Sequence, residues 1–246
     1  DLVKFSKDGS KEQIEAIVRK NEQKSILLEF NISKKELYNL LMNIGNMPIP
    51  PYVEKVRGPS ESDYSNYQTT FAKREGAVAA PTASLHFDRK TFRTLKCHGI
   101  NSSFVTLHVG AGTFLPVTDE QLLSRRLHKE YGRVSKRVAD QINQAKKNGK
   151  QVIAVGTTTL RLIESAVNSK GIVEEFDGTT QLMIGPGFSF KVCDKLLTNF
   201  HLPKSSLLML VSTFHGHQRI KKIYEYAVRS EYKFYSFGDC MLISMV

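Results

Sequence analysis

An apolar stretch at residues 151–155 runs directly into Gly156 and three threonines, and this junction constrains the fold more than any other part of the sequence. A nearly continuous apolar strand is typical of a sheet that is covered on both faces. The residues that follow, through Ser165, are predicted to form a helix. Strand, turn and helix in direct succession therefore predict an α/β fold in which helices cover a mixed sheet.

Other segments continue this alternation of strands and helices. We predict a hairpin from strands at 16–20 and 25–30, and a further strand at 104–109. The three prolines of segment 47–53 exclude regular helix and central strand there and mark a domain junction, and segment 56–66 is predicted to be a mobile surface loop. Helices are predicted at 34–44, at 87–98, from Ser135 to near Gly149, from Leu207 onward, and at 218–229.

The charge of the chain points to a class of partner. Lysine and arginine number 35 against 24 aspartates and glutamates, a formal net charge of +11. Such an excess attracts phosphate backbones regardless of their sequence, although many basic proteins bind no nucleic acid. The basic residues are spread along the chain, which favours a folded basic face over a disordered basic arm.

Cysteine usage and hydropathy indicate the compartment. Cys97, Cys193 and Cys240 stand far apart without CxxC spacing, which excludes a disulfide framework and a common zinc site. The longest apolar run, 207–211, is too short to cross a bilayer, and no secretory signal is recognisable. We expect a cytoplasmic protein, although the sequence starts at Asp1 rather than methionine, so any upstream segment is not visible.

The strand-to-helix junction is the best candidate site. In open α/β sheets, ligands collect at the carboxyl ends of strands, where helix N-termini offer free N–H groups. Thr157, Thr158 and Thr159 add hydroxyl groups there, and Arg161 and Glu164 follow on the first turns. The alternative is that Thr157 only caps the helix.

A second glycine-rich segment lies at residues 108–114, with the sequence HVGAGTF. A dinucleotide fingerprint that starts at Gly110 would need glycine at position 115, which is Leu115. We therefore interpret this segment as a strand that ends in a loop where backbone can approach a ligand closely.

Histidines are candidates for proton transfer near neutral pH. His86, His108, His128 and His201 stand in suggestive positions, although an isolated histidine is more often structural. His128 and Glu130, two residues apart, could be two metal ligands, but the sequence offers no third ligand, so we expect no metal.

Several longer motifs resemble one enzyme family. They are 76–87 (GAVAAPTASLHF), 108–114 (HVGAGTF), 156–165 (GTTTLRLIES), 196–212 (LLTNFHLPKSSLLMLVS) and 237–243 (FGDCMLI). Together they resemble the S-adenosylmethionine:tRNA ribosyltransferase-isomerases of queuosine synthesis, and residues 47–53 and 67–72 fit the same family. The motifs follow the family's order from about Gly45 to the end of the chain.

The resemblance implies a specific reaction. The ribosyl part of S-adenosylmethionine is transferred and isomerised onto 7-aminomethyl-7-deazaguanine at the wobble position of a tRNA with a GUN anticodon. The product is epoxyqueuosine, and adenine and methionine are released. S-adenosylmethionine is consumed as a co-substrate, and we expect a monomer that needs no metal, no membrane and no obligate protein partner.

The resemblance also implies roles for residues. Proton transfers would fall to His86, His108, Glu130 and His201, and Asp239 would bind a hydroxyl or the substrate amine, with a turn cap as the alternative. The donor would be held by Thr82, Gly110, Gly112, Thr113, Thr157, Thr158, Thr159, Arg161 and Asn199. Phosphates of the anticodon stem-loop would contact Lys73, Arg74, Arg89 and Lys204.

The sequence departs from the family in three places. Ser84 stands where the family has glycine, and Arg125 stands where the family has the first histidine of its HxMHxE segment. The family's N-terminal region is absent, so we expect a partial chain or a short member. Residues 1–33 would be the last strands of an inserted small β-barrel, and residues 34–246 the main α/β catalytic domain.

Two other functions agree with parts of the sequence. An RNA methyltransferase would explain the basic charge and the glycine-rich strand end, but no acidic residue follows the glycine loop at the position that holds a ribose. A non-catalytic RNA-binding remnant of the family would need only basic and aromatic surface, not the retained histidines and threonines.

Overall fold

The computed structural model describes residues 1–6, 13–22, 25–110, 112 and 117–246. The chain forms two compact units, Asp1–Pro48 and Ile49–Val246. The boundary lies inside the proline-rich segment that was predicted to be a domain junction.

The first unit contains an antiparallel sheet and one helix. The strands β1 (Leu2–Ser6), β2 (Gln13–Glu22) and β3 (Ser25–Glu29) pair in the order β1-β2-β3, which confirms the predicted hairpin. Ile14 and Ala16 alternate with exposed residues on β2 and are almost fully buried. The helix α1 (Lys34–Ile44) matches its prediction, and the Ser33 hydroxyl accepts the Glu36 N–H as its N-cap.

The second unit contains the remaining elements. In chain order they are α2 (Pro51–Arg57), α3 (Asp63–Asn66), a 3-10 helix (Thr82–His86), α4 (Arg89–Cys97), β4 (Thr106–His108), α5 (Asp119–Ser124), β5 (Arg126–Val134), α6 (Lys136–Lys147), β6 (Ile153–Val155), α7 (Thr157–Ser165), β7 (Phe176–Leu182), β8 (Lys195–Asn199), α8 (Ser206–His215), α9 (His217–Arg229) and β9 (Cys240–Ser244). The predicted strand at 104–109 and the five predicted helices are confirmed, with bounds that differ by at most two residues.

The proline-rich segment was predicted wrongly from Pro51 onward. Pro51 begins α2, because proline at the first helical position needs no N–H donor and already has the helical φ. The predicted loop at 56–66 is also largely ordered. Asp63 is buried, and its carboxylate accepts two hydrogen bonds from the Arg57 guanidinium, at 2.5 and 2.9 Å, and one from the Ser60 N–H.

The mixed α/β class is confirmed, but the strands of this unit do not form one sheet. In the described residues, β4, β5 and β7 form an antiparallel sheet in the order β4-β5-β7. A second sheet has the order β6-β8-β9, with β6 parallel and β9 antiparallel to β8. The apolar stretch at 151–155 therefore supplies an edge strand of a small mixed sheet.

The helix α7 is the centre of this unit. Leu160 and Leu162 are fully buried, and Leu162 packs so closely on β5 that a Cβ added to Gly132 would lie 2.6 Å from its Cδ1. Contacts with β5, β6, β7 and β8 surround the helix. Because both sheets pack on α7, its N-terminus is held at a fixed position.

Three further helices complete the core. The N-terminus of α6 is capped by Ser135, and that of α8 by Ser205, in agreement with the predicted helix starts. The helix α8 buries Val211 and Phe214, and packs against α9. Among the described residues, no helix combines the length and the apolar character needed to cross a membrane.

Candidate functional site

A cavity of about 140 Å³ lies at the N-terminus of α7. Gly156 precedes the helix with a φ of 92°, a conformation that suits glycine, and no side chain caps the first turn. Gly156, Thr157, Thr158 and Thr159 line the cavity at this uncapped helix start. The predicted site at the strand-to-helix junction therefore coincides with a cavity that offers hydroxyl and N–H donors and the positive end of a helix dipole.

The remaining wall comes from five parts of the second unit. Its residues are Tyr52, Ala79, Ala80, Pro81, Thr82, Ala83, Leu107, Val109, Thr198, Asn199, Phe200, His201, Leu202, Pro203, Lys204, Ser205, Leu207, Tyr235 and Ser236. Thus the structure brings Thr82, Asn199 and His201 together with the three threonines, as the sequence motifs suggested. Segments separated by more than a hundred residues meet at this wall.

Asn199 connects three of these segments. It is buried, its Oδ1 accepts a hydrogen bond from the Thr82 hydroxyl at 3.2 Å, and its Nδ2 lies 3.3 Å from His86 Nε2. The same Nδ2 lies 3.4 Å from the Gly238 carbonyl oxygen. Since an amide nitrogen only donates, this contact makes His86 Nε2 an acceptor and places the proton of a neutral imidazole on Nδ1.

His86 and His201 differ sharply in environment. The His86 side chain is exposed beside the cavity wall, whereas His201 is buried and lines the cavity. Burial lowers the pKa of His201 to about 4, and its Nε2 lies 3.0 Å from the Thr198 hydroxyl. His201 is therefore a neutral, hydrogen-bonded imidazole at neutral pH, so it is not protonated and does not act as an acid there.

Sequence reasoning gave no role to two tyrosines of the cavity. The Tyr52 hydroxyl accepts the backbone N–H of Ser236 at 2.6 Å, and the ring centroids of Tyr52 and Tyr235 are 5.0 Å apart. Tyr235 has a φ of 73°, and Lys204 across the wall a φ of 58°. Left-handed non-glycine residues are uncommon and collect at ligand-binding positions. Tyr52 lies in the proline-rich segment 47–53, and the match of that segment to the family motif is the sequence signal that could have identified it.

Glu130 and Arg161 form a buried ion pair outside the cavity wall. Arg161 Nη1 donates to Glu130 Oε2 at 2.5 Å, and Arg161 Nε donates to the Leu182 carbonyl oxygen at 2.8 Å. Both side chains are about 5% exposed, and Arg161 Nη2 has no hydrogen-bond partner among the described residues. The two contacts connect α7 to β5 and β7 one turn beyond the three threonines. The ion pair therefore helps to position the helix.

His108 faces away from the cavity. Alternation along β4 places Leu107 and Val109 in the cavity wall and the His108 side chain on the opposite face. There the His108 ring lies 5.0 Å from the Tyr131 ring. It also packs closely on Gly76, because a Cβ added to Gly76 would lie 2.7 Å from His108 Cε1. His108 Nε2 is buried without a partner in the described part of the chain.

The glycine-rich loop is described only in part. Gly110 follows β4 and does not line the cavity, and Gly112 packs against the ring of His128, where an added Cβ would lie 2.5 Å from Cδ2. Thr113, which was predicted to hold the donor, lies outside the described residues. Arg125, at the place of the family's first histidine, is an exposed left-handed residue that ends α5.

Asp239 has a structural partner. Its Oδ2 accepts the Lys233 N–H at 2.7 Å, and its own N–H donates to the Lys233 carbonyl oxygen at 2.7 Å. These contacts close the turn that carries Tyr235 and Ser236 into the cavity wall, which is the turn-cap alternative stated for this residue. Within the residues that the structure describes, no group of three or more His, Cys, Asp or Glu side chains is placed to hold a metal ion.

Comparisons with known proteins show which proteins the chain resembles. The chain is 49% identical over 227 residues to a protein of Methylocella silvestris named S-adenosylmethionine:tRNA ribosyltransferase-isomerase, covering 92% of this chain and 63% of that relative. A protein of Zymomonas mobilis with the same name is 46% identical, with 99% of this chain and 70% of the relative covered. The chain thus spans less than two thirds of the length of the Methylocella protein.

A solved structure and a family model give the same indication. The crystal structure of S-adenosylmethionine tRNA ribosyltransferase from Thermotoga maritima matches with a TM-score of 0.55 and 39% sequence identity, covering 65% of this chain and 51% of that one. The family model described as queuosine biosynthesis protein matches residues 2–243. The chain therefore belongs to the queuosine biosynthesis protein family.

Proposed function

We propose that this chain transfers and isomerises the ribosyl group of S-adenosylmethionine onto 7-aminomethyl-7-deazaguanine in tRNA, which gives epoxyqueuosine, adenine and methionine. The single observation that carries this proposal is the cavity at the N-terminus of α7, where the motifs that resemble the family converge on one wall. The names of the Methylocella and Zymomonas relatives support it.

The polar groups of the cavity fit part of a nucleoside. Thr157, Thr158, Thr159 and Thr82 offer hydroxyl groups to a ribose or a base, and the uncapped N–H groups of α7 attract oxygen atoms with negative charge. The volume of about 140 Å³ is below the roughly 300–1,000 Å³ of pockets that enclose whole drug-sized ligands. We infer that the wall holds the adenosine part of the donor rather than the whole molecule.

S-adenosylmethionine supplies a ribosyl carbon that the adjacent sulfonium makes electrophilic and acidic. The alkylamine of the acceptor base is protonated at neutral pH and must lose a proton before it can attack. We propose His86 as the group that takes this proton. It is exposed and stands beside the cavity wall, and its Nε2, which faces Asn199 Nδ2 at 3.3 Å, takes the proton when the substrate amine displaces that contact.

The other predicted residues receive indirect roles in this proposal. His201 lines the cavity as a neutral hydrogen-bonding group, and Glu130 with Arg161 positions the N-terminus of α7. Asp239 closes the turn that carries Tyr235. His108 lies on the other face of its strand, and we keep Gly110, Gly112 and Thr113 as donor-binding residues on the resemblance alone.

Several finer points belong to the same proposal. We propose that the tRNA has a GUN anticodon, that the enzyme acts in the cytoplasm as a monomer, and that catalysis needs no metal. We also propose that residues 1–33 are the last strands of an inserted β-barrel and that residues 34–246 form the main domain. The antiparallel sheet of the first unit supports the barrel.

The reaction products test the proposal directly. The chain is incubated with S-adenosylmethionine and an anticodon stem-loop that carries the aminomethyl base, followed by mass spectrometry of the RNA and assay of free adenine. We expect an RNA that is heavier by one epoxy-cyclopentanediol unit, with adenine and methionine released in equal amounts. Formation of S-adenosylhomocysteine instead would establish a methyltransferase. RNA binding without turnover, even after the family's N-terminal region is restored, would establish a binding module.

A matched pair of histidine variants tests the role of His86. General-base catalysis contributes roughly 10²–10⁴-fold, so we expect His86→Asn to lower kcat by about that factor and to leave the Kd for S-adenosylmethionine within a few fold. His217→Asn, which removes an exposed histidine at the start of α9, is the control and should retain full activity. Equal rates for the two variants would remove His86 from the mechanism.

A further inference from the structure

We infer that α4 is the surface that holds the RNA backbone, an inference that rests on the proposed function. Arg89, Arg93 and Lys96 have the spacing i, i+4, i+7 and form one stripe along the helix. All three side chains are exposed, and the stripe extends over about 10 Å along the helix axis. The half-buried Phe92 and Leu95 lie on the flank of the helix next to this stripe.

The positive charge of this stripe is not balanced locally. The helix contains neither Asp nor Glu, and within the described part of the chain none of the three cations forms an ion pair. The neighbouring Asp88 is engaged as the N-cap, since its Oδ1 accepts the N–H and the hydroxyl of Thr91 at 2.6 and 2.7 Å. By contrast, Lys136 on α6 and Lys221 on α9 each face an acidic residue four positions further on. The stripe is therefore a site of unneutralised charge, which suits phosphate groups.

An aromatic cluster fixes α4 and adds a stacking surface. Phe92 contacts Phe71, Phe87 and Phe104 with ring centroids 5.4 to 5.7 Å apart, which anchors the helix to two other segments of the unit. Phe104 remains 51% exposed at the edge of this cluster. An exposed ring that packs against Phe92 of the helix carrying the cations is a combination on which an unpaired base stacks while its backbone is held. The geometry thus favours a single-stranded RNA loop over a duplex.

The location of α4 relates this surface to the cavity. The 3-10 helix leads from Thr82 in the cavity wall to His86, and α4 begins three residues later at Arg89. A phosphate backbone that lies on the stripe runs close to His86, which contacts Asn199 of the cavity wall. A nucleotide that swings out of the loop can then enter the cavity while its neighbours stay bound to α4.

A triple variant with a matched control tests this surface. R89Q/R93Q/K96Q removes three charges from α4, and R137Q/K147Q/K150Q removes three exposed charges from α6 and the residues after it. Glutamine keeps the helix propensity close to that of lysine and arginine, and circular dichroism with thermal unfolding verifies the fold of each variant. Binding to the unmodified anticodon stem-loop is measured across a series of salt concentrations.

Each phosphate contact contributes about 0.7 to the slope of log K against log salt for single strands. We expect the α4 variant to lower the magnitude of the slope by about 2 and to bind about a hundredfold more weakly at 0.1 M salt. The α6 variant should keep both values near those of the unsubstituted chain. Phe104→Leu, which keeps the apolar contacts, should weaken binding about tenfold with an unchanged slope.

Two results would overturn the inference, and they can be distinguished. If both triple variants bind equally and have equal slopes while the unsubstituted chain modifies the stem-loop, RNA docks elsewhere and only the role of α4 is wrong. If the unsubstituted chain neither binds nor modifies the stem-loop, the α4 surface and the proposed function fall together.

Discussion

The buried imidazole of His201 makes the folded state sensitive to mild acid. Burial lowers its pKa to about 4, whereas the pKa of histidine in an unfolded chain is about 6.5. Between these two values the unfolded chain binds a proton at this position and the folded chain does not. Because the unfolded state binds more protons there, the free energy of unfolding falls as the pH is lowered from about 6.5 toward 4.

The size of this effect follows from the pKa difference. A difference of about 2.5 pH units at roughly 1.36 kcal/mol per unit corresponds to about 3 kcal/mol of unfolding free energy. This contribution is fully present above pH 6.5 and is lost by about pH 4. It is a large share of the roughly 5–15 kcal/mol that stabilises a typical domain.

Urea unfolding of two chains isolates this contribution. The unsubstituted chain and His201→Gln are unfolded at pH values from 7.5 down to 4, because glutamine can retain the hydrogen bond to Thr198 and does not titrate. All other groups titrate in both chains, so the difference between the two curves reports His201. We expect the unsubstituted chain to lose about 3 kcal/mol more than the variant over this range. Parallel curves, with a difference below about 1 kcal/mol, would show that His201 titrates normally and would refute the reasoning.

Three further substitutions test the packing around α7 and α6. Glu130→Gln leaves the buried guanidinium of Arg161 without its counter-charge and should cost about 3–5 kcal/mol in urea unfolding, whereas adding Arg161→Met should recover part of this loss. Gly132→Ala places a Cβ 2.6 Å from the fully buried Leu162 and should lower the free energy of unfolding by roughly 1–3 kcal/mol. Because the two residues are in contact, the loss in the double variant Gly132→Ala/Leu162→Ala should differ from the sum of the two single losses. Ser135→Ala removes the N-cap of α6 and should lower stability by about 1 kcal/mol, measured as a fall in Tm; an unchanged Tm would show that the cap is dispensable.

Local signals explain why many elements were predictable from the sequence. Serine caps at 33, 135 and 205 mark the helix starts, and the helix after Gly156 begins where the apolar strand ends. These features depend on neighbours within a few residues, which a sequence displays directly. Thr157, Thr158 and Thr159 could be predicted as site residues for the same reason, because they directly follow the apolar strand in the sequence.

Long-range features were missed because local sequence does not encode them. The strand β5 mixes charged and apolar residues and shifts register between Arg126 and Glu130, so it shows no regular alternation. The roles of Tyr235 and Ser236 depend on a turn that Asp239 closes, and the pairing of Glu130 with Arg161 joins residues 31 positions apart. By contrast, strand alternation at Leu107 and Val109 could have placed His108 on the far face.

The contact between Thr82 and Asn199 has a consequence for the order of folding. These residues are 117 positions apart, so closing the loop between them costs roughly 4 kcal/mol of chain entropy before any contact repays it. Such a contact forms after the shorter-range pairing of β5 with β7 and the packing of α7 against them. We therefore expect the cavity wall to assemble late in folding, and S-adenosylmethionine, the proposed donor, to speed only the last step of refolding, in which the wall closes.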